Sequence, residues 1–152
     1  SLLGEAQWAW LEQQLIAAAD VRLVVSPEPI QSADPASGWA ALPKERGRLV
    51  ELIKRLETKG VVLVSGGSGA SAIYRDEKAL NYPLAELSSS HLNGAQAPAM
   101  SAEPNAVDKP ITKPNFGVID IDWNARAINL ELHDSSGTLI YGQAVPLPPA
   151  EG

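Results

Sequence analysis

The chain has no cysteine, two histidines, one phenylalanine and one methionine among its 152 residues. Without thiols it forms no disulfide and no thiolate-ligated metal site. Imidazole chemistry is limited to His91 and His133. Positive charge is also scarce: 12 Lys and Arg against 18 Asp and Glu leave a net charge of −6. That balance argues against a general nucleic-acid binder, whose surface must neutralise phosphates, and gives no polybasic attraction to anionic lipid. It leaves room for a small anionic substrate held by local groups or metals. No run approaches the ~20 apolar residues of a membrane span, and no signal peptide is visible. The chain opens at Ser1 without Met and enters an amphipathic segment at once, as a processed chain or a fragment would. Its apolar share of 45% is that of an ordinary globular chain, and its length suits one domain.

What is present is organised around Gly60 to Tyr74. Val61-Val62-Leu63-Val64 is a continuous apolar run bounded by glycines, as in a strand covered on both faces. Gly66-Gly67-Ser68-Gly69-Ala70 follows, and then a second short strand. In open α/β sheets, sites gather where the chain leaves the carboxyl end of such a strand. Here that loop holds no His, Asp, Glu, Lys or Arg. Upstream, Trp8, Leu11, Leu15 and Ala18 share one face of a helix over 2–19. Trp8 and Trp10 lie on different faces, so one belongs to the core and the other covers a loop or partner. A β-branched strand over 21–26 is followed by an irregular stretch to Leu42. Pro43 opens a second helix that runs to Lys59, with Gly60 as a left-handed cap.

Beyond the loop, 71–75 and 84–88 read as strands, and 89–114, rich in Pro and Ala, as a long surface loop or insertion. Three strands over 115–123, 127–134 and 138–146 end the pattern, and the Pro-rich residues 147–152 read as a frayed tail. The expected fold class is α/β (α+β): a mixed β-sheet with two helices and a C-terminal antiparallel meander, in one domain over 1–146.

Each chemistry-bearing group has a plain structural reading beside the functional one. The Gly/Ser loop lacks the Lys and the following helix of a phosphate-binding loop, so it reads as a flexible or ligand-stripped turn. Ser90 and His91 are adjacent on an extended segment and should point opposite ways, which argues against a nucleophile–base pair among Ser88, Ser89, Ser90 and His91. His133 alternates outward with Asn129 and Glu131. Asp120 and Asp122 share a strand face, where solvated carboxylates are the ordinary case. Trp39, near Arg46, reads as packing under its loop.

Several segments resemble the PhoD-like metallophosphatases, the alkaline phosphatase D group of the metallophosphoesterases. They are Leu3-Gly4-Glu5-Ala6-Gln7-Trp8-Ala9-Trp10-Leu11, the strand Val21 to Ser26, Gly38-Trp39 with Pro43-x-Glu45-Arg46, Gly60 to Gly66, Tyr82-Pro83-Leu84-x-Glu86-Leu87-x-Ser89-Ser90, and Asn115 to Trp123. The resemblance implies one half of an αββα sandwich, the C-terminal part of a phosphatase or phosphodiesterase. Such a parent would hydrolyse phosphate esters at divalent metals, Ca, Fe, Zn or Mn, and work in the periplasm or outside the cell. The family's upstream metal-binding half has no counterpart here. Where the family has Gly-Asp-x-His after the central strand, Gly67 stands for the aspartate and Gly69 for the histidine. Glycine offers no ligating side chain, so no cofactor is expected for this chain alone. By the same resemblance His91 and Trp39 border the site, with Ser65 and Ser68 the nearby hydroxyls. The expected partner is the missing N-terminal half. The alternatives are a non-catalytic binding or structural module, or an engineered scaffold, that keeps the fold without the metal site.

Overall fold

The computed structural model describes residues 2–35, 38–67, 69–94 and 103–149. Its elements run α1 (Glu5–Ile16), β1 (Arg22–Ser26), a short 3-10 helix (Gly38–Ala41), α2 (Pro43–Arg55), β2 (Val61–Ser65), β3 (Ala72–Asp76), β4 (Leu84–Ser88), β5 (Asn115–Asp122), β6 (Ala127–Asp134) and β7 (Leu139–Pro146). This is the expected mixed α+β class. The strands form two sheets: a four-stranded sheet ordered β1-β2-β4-β3 and a three-stranded meander ordered β5-β6-β7. β1, β2 and β4 run parallel, and β3 pairs antiparallel with β4.

Alternation along the strands makes two cores. Val61 and Leu63 of β2 and Leu84 of β4 face the helices, where Trp8, Leu15, Leu49, Leu52 and Ile53 pack on them. Val62, Ile73, Ala85 and Leu87 face the meander and meet Ile128, Leu130 and Leu132. The first sheet is therefore covered on both faces, which is why β2 carries an unbroken apolar run. Gly117 of β5 passes so close to β4 that a Cβ there would lie 2.8 Å from Leu87 Cδ2. The Tyr141 hydroxyl of β7 accepts the Ile73 N–H of β3 at 3.2 Å. Of the two helix tryptophans, Trp8 is in the core, and Trp10 is 57% exposed.

Four segments differ from the sequence expectation. α1 stops at Ile16 because the Ala17 backbone turns extended, and the Arg22 guanidinium takes up the Ala17, Ala19 and Lys59 carbonyls. α2 ends at Arg55, not at a Gly60 cap. Glu57 takes the left-handed backbone (φ 52), with Glu57 N–H on Lys54 O and Thr58 N–H on Ile53 O, each at 3.1 Å. That is a Schellman closure built without glycine. Gly60 serves a different need: a Cβ there would lie 2.1 Å from Asp20 O, so only glycine lets β2 start beside β1.

The stretch 89–114 is not all surface loop. Among its described residues, 103–111 runs antiparallel along β3 through the Tyr74–Ala106 and Ser71–Ile111 bridges, and Ile111 is buried. In the expected tail, Leu147 is buried and donates its N–H to Arg126 O at 2.8 Å, while Arg126 also bonds the Pro148 carbonyl. Residues 150–152 lie outside the described ones.

Candidate functional site

The parallel strands β1, β2 and β4 end together at Ser26, Ser65 and Ser88, and three loops leave from them. Beneath these loops sits Glu86, a carboxylate with no exposure in the middle of β4. Oε1 accepts the Ile30 N–H at 2.9 Å and the Ser65 hydroxyl at 2.5 Å, and Oε2 accepts the Gln31 N–H at 2.7 Å. Burial pushes the Glu86 carboxyl above its ordinary range. The three donors and the Arg46 charge offset that push only in part. Arg46 in turn donates to the Ser32 carbonyl at 3.3 Å and the Gln31 carbonyl at 3.5 Å. Glu86 and Arg46 thus fasten the loop after β1 over the strand ends. Every oxygen of Glu86 faces a donor of the same chain, so its role is to hold a loop.

Trp39 is buried under that loop, and its indole N–H donates to Ser26 Oγ at 3.1 Å. Ser26 Oγ donates to Glu28 O at 2.6 Å. Glu103 ties the loop from its other side, receiving the Ser32 hydroxyl at 2.8 Å and the Ala33 N–H at 2.7 Å.

The loop after β2 is shaped by its glycines. Gly67 and Gly69 have φ of +82 and +77, the left-handed region that side-chain-bearing residues enter at a cost. A Cβ on Gly67 would lie 2.5 Å from Pro27 O and 2.9 Å from Glu28 Oε1. The loop therefore has a glycine conformation of its own, with the Glu28 carboxylate against the face where a side chain would start. Ser68 lies outside the described residues.

Beyond β4, Ser90 Oγ accepts the Gly69 N–H at 3.0 Å, and the Ser90 N–H donates to Ser71 Oγ at 2.8 Å. His91 Nδ1 lies 3.3 Å from Ser90 Oγ. The expectation that these neighbours point apart is thus corrected, because His91 is not extended: its φ is +37. Ser90 itself is buried and occupied by the Gly69 N–H, so it is not displayed as a nucleophile. Ser89 joins the second sheet, its hydroxyl donating to Asn115 Oδ1 at 2.9 Å.

The remaining candidates lie apart from this cluster. His133 is on the outer face of the meander, stacked on Phe116 with ring centroids 5.5 Å apart. Its Nε2 meets Glu131 Oε2 at 2.7 Å and its Nδ1 meets Gly137 O at 3.1 Å. Asp120 accepts the Asn129 amide at 3.5 Å, and Asp122 accepts the Ala125 N–H at 2.8 Å, closing the β5–β6 turn. Glu86 is the residue that reading for chemistry passed over. Its signal was a charged side chain at the centre of Leu84-Ala85-Glu86-Leu87, where burial demands partners.

No family model matches the chain, and no curated protein does. Among solved structures, one titled "Structure of PhoD" matches with a TM-score of 0.61 at 19% identity, over 99% of this chain and 36% of that one. The fold is that of a segment of PhoD. The chain spans little more than a third of that structure's length. Positions 67 and 69 offer no donor atom beyond the backbone. Among the described residues no group of three His, Cys, Asp or Glu side chains converges.

Proposed function

We propose that the chain is the C-terminal portion of a PhoD-like phosphatase or phosphodiesterase, and that by itself it hydrolyses no phosphate ester. The parent would cleave phosphate esters at a metal site completed by residues from its other part. The observation that carries this reading is the match over 99% of the chain to a piece of PhoD, combined with left-handed glycines at both expected ligand positions. The likeness at 19% identity supports the fold, and the sequence resemblance supplies the chemistry. A second reading is favoured by the Gly67 loop: a backbone that a side chain would clash with suits a binding or structural module, or an engineered scaffold, that keeps the fold without the metal site. Isothermal titration with Zn²⁺, Fe²⁺, Mn²⁺ and Ca²⁺, with turnover of p-nitrophenyl phosphate and bis-p-nitrophenyl phosphate, tests the proposal. The expected result is no stoichiometric binding and no turnover. Stoichiometric metal with turnover would mean a rebuilt site within this chain. Recovery of turnover on adding a chain that supplies carboxylates and histidines would favour the phosphatase portion over the module.

A further inference from the structure

The chain has six asparagines, and Asn93 is the one followed by glycine. It lies in the turn that leaves β4, where Asn93 and Gly94 are both exposed. The turn folds back on itself: His91 takes the left-handed backbone, and a Cβ on Gly94 would lie 2.5 Å from His91 Cδ2. The imidazole thus occupies the space where a side chain at 94 would begin, and the Gly94 nitrogen has no Cβ to shield it. Among the described residues, no hydrogen bond uses the Asn93 carboxamide or the Gly94 N–H.

The other five asparagines are held or shielded. Asn115 is buried, its carboxamide accepting from the Ser89 hydroxyl and donating to the Lys113 carbonyl. Asn129 lies in β6, which is paired on both sides, so the peptide N–H that follows it belongs to the ladder. After Asn105, the Ala106 N–H donates to Glu103 O at 3.1 Å. After Asn124, the Ala125 N–H donates to Asp122 Oδ1 at 2.8 Å. After Asn81 comes Tyr82, whose large side chain is fixed by its hydroxyl on Thr58 O.

We propose that Asn93 is a site of self-modification, at which the Gly94 nitrogen attacks the Asn93 carboxamide and the residue becomes aspartate or isoaspartate. The nitrogen gives up its proton and bonds to Cγ, the Cγ–Nδ2 bond breaks, and the side-chain nitrogen leaves as ammonia, carrying that proton. Water then opens the cyclic imide at either carbonyl. Opening at one restores the backbone with an aspartate, and opening at the other routes the backbone through the side chain. Both products place a new carboxylate in the turn where His91 meets Ser90, and Ser90 in turn holds the Gly69 N–H. A neutral turn at the strand ends thus becomes acidic as the protein ages.

The test is incubation of the whole folded chain in mildly alkaline buffer, followed by ammonia assay, methylation by an isoaspartate-specific methyltransferase, anion exchange and peptide sequencing by mass spectrometry. The expected result is one ammonia released and one negative charge gained per chain, with isoaspartate and aspartate at position 93. Asn93→Gln should abolish the release with an unchanged circular dichroism spectrum, since the side chain is exposed and the ring it would have to form is larger. Asn105 and Asn124, in the same samples, should stay intact. An Asn93 that persists unchanged in the folded chain would overturn the proposal. So would conversion at Asn105 or Asn124 as fast as at Asn93, ammonia release that survives Asn93→Gln, or aspartate at 93 without isoaspartate, which would mean direct hydrolysis without attack by Gly94.

Discussion

An aspartate at position 67 would need a backbone that this loop does not have. The φ of +82 strains any side-chain-bearing residue, and the Cβ would collide with Pro27 O. Gly67→Asp is therefore expected to cost about 1–3 kcal/mol of stability and to recruit no metal. Urea denaturation and titration with Mn²⁺ check both halves. An unchanged midpoint with stoichiometric Mn²⁺ would mean that the loop refolds around a ligand. Glu86 carries the opposite liability. Glu86→Ala strands the Ile30 and Gln31 N–H groups and the Ser65 hydroxyl in a buried site. A loss of roughly 3 kcal/mol or more is expected. Hydrogen exchange should show the Ile30 and Gln31 amides opening first. A loss within experimental error would mean that the loop after β1 is held by Trp39 and Glu103 instead.

At the scale of elements, the meander has a pH-sensitive fastening. Both nitrogens of His133 face acceptors, Glu131 Oε2 and Gly137 O, so both are satisfied only when both carry protons. The hydrogen bond with Glu131, and then that with the Gly137 carbonyl, raise the His133 pKa above its ordinary 6.5. Desolvation opposes this rise in part, and the negative charges of Glu131 and Asp134 add to it. A raised histidine stabilises the fold fully below its unfolded pKa, and the stabilisation is lost as pH rises through the folded value. Melting temperature should thus fall as pH climbs past 6.5, and His133→Phe should flatten that slope. An equal slope in the variant would place the titration elsewhere.

The same elements show what the sequence makes legible. All seven strands were readable within a residue or two, because apolar runs and the Ile128-Leu130-Leu132 alternation report burial directly. The end of α2 was not, because Glu57 adopts a backbone that composition assigns to glycine, while Gly60 answers a close approach to Asp20 from far away in sequence. The strap over 103–111 was hidden for a related reason: it is held by backbone bonds to β3, which leave no side-chain pattern. At the strand ends, the glycines at positions 67 and 69 are plain from the sequence. The Glu86 clamp and the Ser90–His91 contact were not, since one depends on tertiary donors and the other on a left-handed histidine.

For the whole molecule, the two cores share one sheet. Leu63 faces the helices and its neighbour Val62 faces the meander, so β2 cannot lose one side without disturbing the other. The meander cannot stand alone either, as a three-stranded sheet whose buried face, Ile128, Leu130 and Leu132, needs the first sheet to cover it. One cooperative unfolding unit is the consequence. The two buried tryptophans, Trp8 and Trp39, both lie in the helix-side core, whereas Leu130 lies in the other. Leu130→Ala should cost about 2–5 kcal/mol. If the molecule unfolds as one unit, it should move the tryptophan-fluorescence transition as far as the far-ultraviolet dichroism transition. A fluorescence midpoint that stays in place while the dichroism midpoint falls would divide the chain into a helix-side unit and a separately melting meander.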